Sequence, residues 1–189
     1  MKITFRKITH GFIYYLLPLS LAFLFYWRPN RFWFIWLGYS TIYLLGVILF
    51  CQPLAVLLNI KWLWKIKSYR RELGILSFWT FFFHAAGFSY LYQLYRFEPW
   101  PAALYWGAAA GLGMLILGVT SNTYAVRLLR RNWKRLHRIV YFVFAAALTH
   151  IALTRQRGYE LYLIVFLIFF ILKLLEWRKT KRLTRDKNL

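Results

Sequence analysis

The chain has 189 residues, of which 61% are hydrophobic, 22% aromatic and 16% charged, and its formal net charge is +21 at pH 7. In a water-soluble domain about a quarter of the residues are charged, and a single core of this size could not bury so much apolar surface. The composition therefore excludes an ordinary soluble domain and indicates an integral membrane protein. Cys51 is the only cysteine, which excludes an intrachain disulfide bond and an iron–sulfur cluster or zinc site held by cysteines.

The net charge of +21 would suggest nucleic acid as a partner if the protein were soluble. Here the lysines and arginines lie between long apolar runs, so we interpret them as a signal of membrane topology. We therefore expect membrane lipids, and not nucleic acid, around this chain.

Six apolar runs along the chain predict an all-α bundle of six transmembrane helices, because a span needs about 20 residues that rise about 1.5 Å each. The runs cover residues 11–27, 32–59, 73–95, 100–120, 138–154 and 159–177. The second run is longer than a span requires and contains Gln52, Pro53 and Asn59, so we expect it to kink or to end early. The fifth run is short, but it can extend backwards through Trp133 and Leu136.

The basic residues predict how this bundle is oriented, because positively charged segments stay on the cytoplasmic side of a membrane. Most of them fall in the N-terminus, in the loops after the second and fourth runs, and in the C-terminus: Lys2, Arg6, Lys7, Lys61, Lys65, Lys67, Arg70, Arg71, Arg127, Arg130, Arg131, Lys134, Arg135, Arg138, Arg178, Lys179, Lys181, Arg182, Arg185 and Lys187. The opposite loops hold Arg28, Arg31, Arg96, Arg155 and Arg157. We therefore predict that both termini are cytoplasmic, that residues 1–189 form a single transmembrane domain, and that residues from about 178 to 189 form a short basic cytoplasmic tail.

Four histidines are the main candidates for function, because ionisable groups inside a membrane are costly and mark functional sites by default. They are His10, His84, His137 and His150. The glutamates fall at or near the ends of the predicted spans, at Glu72, Glu98, Glu160 and Glu176. No carboxylate is therefore expected at depth for a proton relay or for a Ser–His–Asp type of catalytic site.

His84 and His150 are predicted to reach nearly the same depth in the membrane. His84 lies 12 residues into the third helix, about 18 Å along its axis, and His150 lies 13 residues after His137, about 20 Å further along the fifth. Two imidazoles at equal depth on facing helices could clamp an iron porphyrin between them. The alternative for each histidine is an interhelical hydrogen bond. Zinc fits less well, because a tetrahedral site needs three or four ligands and only two lie at this level.

His137 and His10 are expected at the cytoplasmic end of the bundle. His137 lies in a basic segment, and three interpretations stay open for it: a ligand of a second haem, a partner for a haem propionate or a flavin phosphate, or an interfacial histidine. His10 could be the axial ligand opposite His137, or it could be a residue at the mouth of the first helix.

Three stretches of the chain resemble the ferric-reductase-like transmembrane domain family. They are residues 70–74 (RRELG) followed by His84, residues 117–122 (LGVTSN), and residues 133–141 (WKRLHRIVY) followed by His150. The resemblance extends from about residue 40 to residue 175. Within this family, the six-helix form without a soluble domain is most similar to the haem-binding membrane subunits of bacterial protein-methionine-sulfoxide reductase systems.

The resemblance implies a b-type cytochrome in the bacterial inner membrane, which is an electron-transfer subunit and not the catalytic subunit of its oxidoreductase system. It would pass electrons from a cytoplasmic flavin reductase or from quinol to a periplasmic, molybdopterin-containing methionine-sulfoxide reductase subunit. By resemblance, His84, His137 and His150 would ligate the iron of one or two haem b groups. A flavin mononucleotide (FMN) could also bind at the cytoplasmic side, where its phosphate could meet arginines: Arg70, Arg71, Arg127, Arg130 and Arg131.

One departure from the family pattern bears on the number of haems. The third helix has one histidine where the NADPH-oxidase-like branch has a spaced pair, so the inner site would need His10, a different ligand or a flavin. Two other functions stay open: a stand-alone transmembrane ferric or haem reductase, and a small metal or proton transporter that uses the intramembrane histidines.

Overall fold

The computed structural model describes residues 11–27, 29–93, 101–154 and 159–186. The regular secondary structure of these residues is helical throughout, which confirms the predicted all-α class. The helices are α1 (Phe12–Trp27), α2 (Arg31–Leu58), α3 (Lys61–Ser68), α4 (Arg70–Tyr92), α5 (Ala102–Val119), α6 (Thr123–Leu129), α7 (Arg131–Thr154) and α8 (Tyr159–Asp186). α1 begins with a π-helical turn over Phe12–Leu16, and α7 contains a 3-10 turn over His137–Ile139. His10 and the basic residues of the N-terminus lie outside the described residues.

Three of the described helices, α2, α5 and α7, are long and apolar enough to cross a membrane. α1 is apolar but shorter, whereas α4 and α8 are long but carry more polar and charged residues, among them Arg70, Glu72 and Lys173. The protein is therefore a helical membrane protein. The count of six spans and the cytoplasmic position of both termini stay predictions.

α2 is longer than a membrane span, as its apolar run indicates, but the expectation that it ends early is wrong. It passes through the buried Pro53 as one helix and ends at Leu58. Asn59 then closes it with a left-handed backbone, φ 53° and ψ 36°, which asparagine tolerates better than most residues, and its N–H donates to the carbonyl of Ala55. The backward extension of the fifth run is confirmed, because α7 begins at Arg131.

Two short helices occupy segments that were predicted as basic loops. α3 follows α2 directly and buries Leu63 against the end of α2, while Lys61 and Lys65 stay exposed. α6 begins after Asn122, whose side-chain oxygen accepts a hydrogen bond of 2.7 Å from the backbone N–H of Ala125 and so caps the helix. Each short helix connects two long helices that pack antiparallel: α3 connects α2 to α4, and α6 connects α5 to α7.

Helices α2, α4, α5 and α7 form the centre of the bundle. α2 packs antiparallel against α4, and α5 packs antiparallel against α7. The two pairs meet through α2 with α7 and through α4 with α5, while α8 lies against α2 and α7, and α1 lies against α4. Their shared apolar core is formed by Ile42, Leu45, Leu49, Met114, Leu117, Val143, Phe144, Leu148 and Phe169.

Glycines on α5 let α4 approach it closely. The rings of Phe81 and Phe78 lie on Gly111 and Gly118, where an added Cβ would be 2.8 Å and 2.6 Å from the respective ring. Between membrane helices the hydrophobic effect is weak because lipid is itself apolar, so close packing of this kind contributes much of the attraction.

A buried hydroxyl network ties α2 to α4. The Oγ1 atoms of Thr41 and Thr80 share a hydrogen bond of 2.9 Å, and Ser77 Oγ donates to the carbonyl of Thr41 at 3.2 Å. Such bonds between membrane helices contribute about 1 kcal/mol each. Because Thr80 precedes His84 by about one helical turn, the network sets the register of the face of α4 that carries His84.

Candidate functional site

His84 is held by the neighbouring helix α2. Its Nδ1 lies 2.7 Å from the backbone carbonyl oxygen of Phe34, and its ring centre lies 4.9 Å from that of Phe88. A carbonyl oxygen can only accept, so Nδ1 carries the proton and donates it. In the neutral imidazole this leaves the lone pair of Nε2 available to bind a metal.

His150 is held by α5 in the same way. Its Nδ1 lies 2.7 Å from the carbonyl oxygen of Ala103, which is near the start of α5 just as Phe34 is near the start of α2. Both histidines are half-buried. α4 runs antiparallel to α5, because Phe81 and Phe78 lie on Gly111 and Gly118, so the part of α4 that carries His84 lies beside the start of α5. The structure thus places His84 and His150 at the same end of the bundle.

The sequence left two interpretations open for each histidine, an interhelical hydrogen bond and ligation of a haem iron, and this geometry is compatible with both at once. Each histidine makes an interhelical hydrogen bond through Nδ1, and that bond prepares Nε2 for a metal. Metal-ligating histidines nearly always donate their other ring N–H to a carbonyl, a carboxylate or water, which fixes the tautomer and raises the basicity of the ligand. Two such imidazoles would suit the ligation of a haem iron. The part of the chain that the structure describes contains no group of three or more His, Cys, Asp or Glu side chains that could hold a metal ion.

His137 lies at the opposite end of α5, in a cluster around the end of that helix. Its Nε2 is 3.1 Å from Thr120 Oγ1, and its ring stacks on the indole of Trp133 with 3.9 Å between the ring centres. Trp133 Nε1 donates to the carbonyl of Thr120 at 2.8 Å, and Arg71 Nε donates to the carbonyl of Ser121 at 2.9 Å. Carbonyl groups at a helix C-terminus lack intrahelical partners, so these donors satisfy the end of α5.

The two histidine levels are well separated. Ala103, which bonds His150, and Thr120, which bonds His137, are 17 residues apart on α5, or about 25 Å along the helix axis. The structure therefore does not bring His137 to the pair formed by His84 and His150, and a cofactor at His137 would be a separate one. His10, considered as its partner, lies outside the described residues.

The five arginines considered for a flavin phosphate differ in their surroundings. Arg70 is exposed and near enough to His137 for its charge to act on the imidazole. Arg71 is half-buried and bonded to the carbonyl of Ser121. The others are exposed on α6 and at its junction with α7: Arg127, Arg130 and Arg131. Cationic side chains thus cluster at this end of the bundle, although Arg71 already has a role in anchoring α5.

Arg130 holds the turn between α6 and α7 in a strained backbone conformation. Its φ is 46° and its ψ is −117°, a region that favours glycine. We expect Arg130→Gly to be about 1–2 kcal/mol more stable than Arg130→Ala, because both lose the guanidinium and only glycine relieves the strain. Denaturation of the two variants in detergent measures this difference, and equal stabilities would show that the turn is unstrained.

A partly buried polar cluster that was not apparent from the sequence joins α2 to α8. Gln52 Nε2 donates to Glu176 Oε1 at 2.7 Å, and Lys173 Nζ donates to Glu176 Oε2 at 2.8 Å. Lys173 Nζ also lies over the ring of Tyr141, 5.4 Å from its centre. The signal in the sequence was the presence of Gln52, Lys173 and Glu176, all polar, inside apolar runs.

Comparisons with known proteins add independent information. A model of the family described as ferric reductase like transmembrane component matches residues 37–148, more than half of the chain. The chain is 31% identical over 153 residues to the protein-methionine-sulfoxide reductase heme-binding subunit MsrQ of Rhizobium meliloti, a match that covers 77% of this chain and 68% of that protein. It is 30% identical over 135 residues to MsrQ of Agrobacterium fabrum, which covers 64% of this chain and 57% of the relative. The chain thus spans about two thirds or less of the length of these relatives, and no solved structure matches it.

The segment matched by the family model extends from α2 into α7. It contains His84 and His137, and His150 follows two residues after its end. The chain therefore belongs to the ferric reductase like transmembrane component family and is an MsrQ-type member of it.

Proposed function

We propose that this chain is the haem-binding, electron-transferring membrane subunit of a methionine-sulfoxide reductase system, in which His84 and His150 would hold a haem b through its iron. The family match and the printed names of the relatives support the coarse function. The observation that carries the choice of residues is the shared geometry of the two imidazoles. Each donates Nδ1–H to a backbone carbonyl at 2.7 Å and keeps Nε2 for a metal.

Haem bound by this pair would supply one-electron redox chemistry, while the chain would hold it and tune its potential. The carbonyls of Phe34 and Ala103 fix the tautomer and the orientation of the imidazoles. In this proposal the chain acts as the electron-transfer subunit, and the chemistry on sulfoxides belongs to a partner.

We further propose the setting of this electron transfer. The pair would lie in the periplasmic half of a six-helix bundle in the bacterial inner membrane, with both termini in the cytoplasm, as the distribution of basic residues indicates. The acceptor would be a periplasmic, molybdopterin-containing methionine-sulfoxide reductase subunit, and the donor would be a cytoplasmic flavin reductase or quinol.

A second cofactor near His137 would be needed as a relay, because about 25 Å of helix separates the two histidine levels. Either a second haem or FMN could fill this role. For FMN, the exposed arginines around Arg70 and Arg130 would supply charge-assisted hydrogen bonds to the phosphate.

The visible spectrum of the protein, purified in detergent from a host supplied with excess haem, tests the proposal. We expect a Soret band, an α-band that appears on reduction with dithionite, and at least one haem b per chain by pyridine haemochrome analysis. A colourless preparation would contradict the proposal. Re-oxidation of the reduced protein by the sulfoxide-reductase subunit, compared with re-oxidation by ferric citrate, then distinguishes the proposed partner from general ferric reduction.

A further inference from the structure

Each of the two histidine rings lies directly on a glycine of the helix that holds it. A Cβ added at Gly38 of α2 would lie 2.7 Å from both Cε1 and Nδ1 of His84. A Cβ added at Gly107 of α5 would lie 2.9 Å from Nδ1 and 3.1 Å from Cε1 of His150. Real Cβ atoms essentially never come within 3.0 Å of such neighbours, so only glycine leaves room for the rings where they lie.

The glycine and the carbonyl have the same spacing at both sites. Gly38 is four residues after Phe34, and Gly107 is four residues after Ala103. Residues four apart lie one above the other on the same face of a helix. Each helix therefore presents one slot, in which a carbonyl accepts the Nδ1–H and the missing Cβ makes room for the ring.

The two slots also occupy equivalent places in the bundle. Helices α2, α3 and α4 form one unit, and α5, α6 and α7 form another; in each, a short helix joins two long antiparallel helices. In both units the first long helix supplies the carbonyl and the glycine, and the second supplies the histidine. The units contact each other in two places, α2 with α7 and α4 with α5. A two-fold rotation that exchanges the units would exchange these two contacts, so the packing is consistent with such a rotation.

We infer that these two units are an internal structural repeat and that Gly38 and Gly107 are matched positioning residues for its two histidines. Each glycine determines where its imidazole can lie, so that the two Nε2 atoms are presented in the same way to one flat ligand between the units. The inference rests on the proposed function, because it gives the glycines a role toward a haem held by His84 and His150. The inference of a repeat also requires that Gly38→Ala and Gly107→Ala change haem binding in the same way.

Alanine at these positions should affect the ligands more than the fold. The atoms that would meet the added methyl group belong to an imidazole, at the end of a side chain that can rotate, and not to a helix backbone. The ring would turn away, lengthen its bond to the carbonyl and lose its alignment with the iron. Loss of a supporting contact of this kind usually lowers metal affinity about 10–100-fold.

The test compares Gly38→Ala and Gly107→Ala with Gly46→Ala in the full-length protein purified with haem. Gly46 lies on the same helix as Gly38, and a Cβ there would meet nothing within 4 Å, so it is a matched control. The readouts are the rate of haem transfer to excess apomyoglobin and the EPR signal of low-spin iron with two imidazole ligands. Gly38→Ala and Gly107→Ala should each lose haem about 10–100-fold faster and change the EPR signal, whereas Gly46→Ala should match the wild type.

A double substitution covers the case in which a glycine variant folds poorly. Gly38→Ala combined with His84→Ala should be as stable as His84→Ala alone, because the ring that the methyl group meets is gone. A packing defect between helices would persist in the double variant and would count against the inference. Wild-type EPR signals in both glycine variants, or an altered signal in only one of them, would overturn the inference about the glycines. The proposed function would still stand in that case if the wild-type protein binds haem. A wild type that binds no haem overturns both.

Discussion

Replacing His84 or His150 with alanine is expected to remove most of the haem from the site that the two residues share. In the proposed site either change would remove a ligand of the haem iron, and it also leaves the carbonyl of Phe34 or Ala103 without its imidazole donor. Loss of a mere supporting partner lowers metal affinity about 10–100-fold, so loss of a ligand should lower haem affinity by at least about tenfold. The haem-to-protein ratio from pyridine haemochrome analysis, with reduced-minus-oxidised spectra, measures the effect.

Two further variants make this result specific. Thr149→Ala changes the residue beside His150, but its hydroxyl bonds the carbonyl of Ala145 in its own helix, so the haem should be retained. His137→Ala should also keep the shared haem, because His137 lies at the other end of α5. If His137→Ala loses this haem while His84→Ala and His150→Ala keep it, the assignment of the ligands is wrong.

Replacing Glu176 with alanine is expected to lower the free energy of unfolding by about 2–3 kcal/mol. The change removes the acceptor of both Gln52 and Lys173 and leaves an amide and an ammonium group with poor solvation between α2 and α8. Breaking a fully buried pair costs about 3–5 kcal/mol, and we expect less here because the Lys173 side chain remains 26% exposed. Denaturation in detergent, followed by loss of helical circular dichroism, measures the change.

Glu160→Ala is the matched control, because Glu160 lies in the first turn of the same helix and is exposed. It should change the stability little. Glu176→Gln keeps an oxygen that can accept from Gln52 and should cost less than Glu176→Ala. Equal stabilities of Glu176→Ala and Glu160→Ala would mean that the cluster does not hold α8 against α2.

The positions of the long helices could be predicted from the sequence because, in a membrane, an apolar run reports a helix. The end of α8 could not, because this helix continues past its apolar run, which ends at residue 177, to Asp186. The rise per residue also allowed His84 and His150 to be compared in depth, since each lies on a helix that starts at a basic segment of the same side. α3 was not predicted, because eight residues with three lysines form too short and too polar a stretch to be distinguished from a loop.

The partners of the site residues could not be predicted from the sequence. That Phe34 and Gly38 face His84 depends on how α2 is rotated and shifted against α4, and one sequence contains no direct record of this register. The same holds for Gln52 and Glu176, which are 124 residues apart in the chain. Small residues and single polar residues in an apolar run indicate that a contact exists, but the partner in that contact is identified only once the neighbouring helix is known.

The two units of the bundle are each more extensively packed within themselves than against each other. Each histidine is bonded by a helix of its own unit, so neither imidazole joins the units on its own. A porphyrin that took one histidine ligand from each unit would therefore link the two units across their interface. Binding of such a ligand would stabilise by mass action the arrangement in which the two units pack together, so the protein with haem should unfold at a higher temperature than the protein without it.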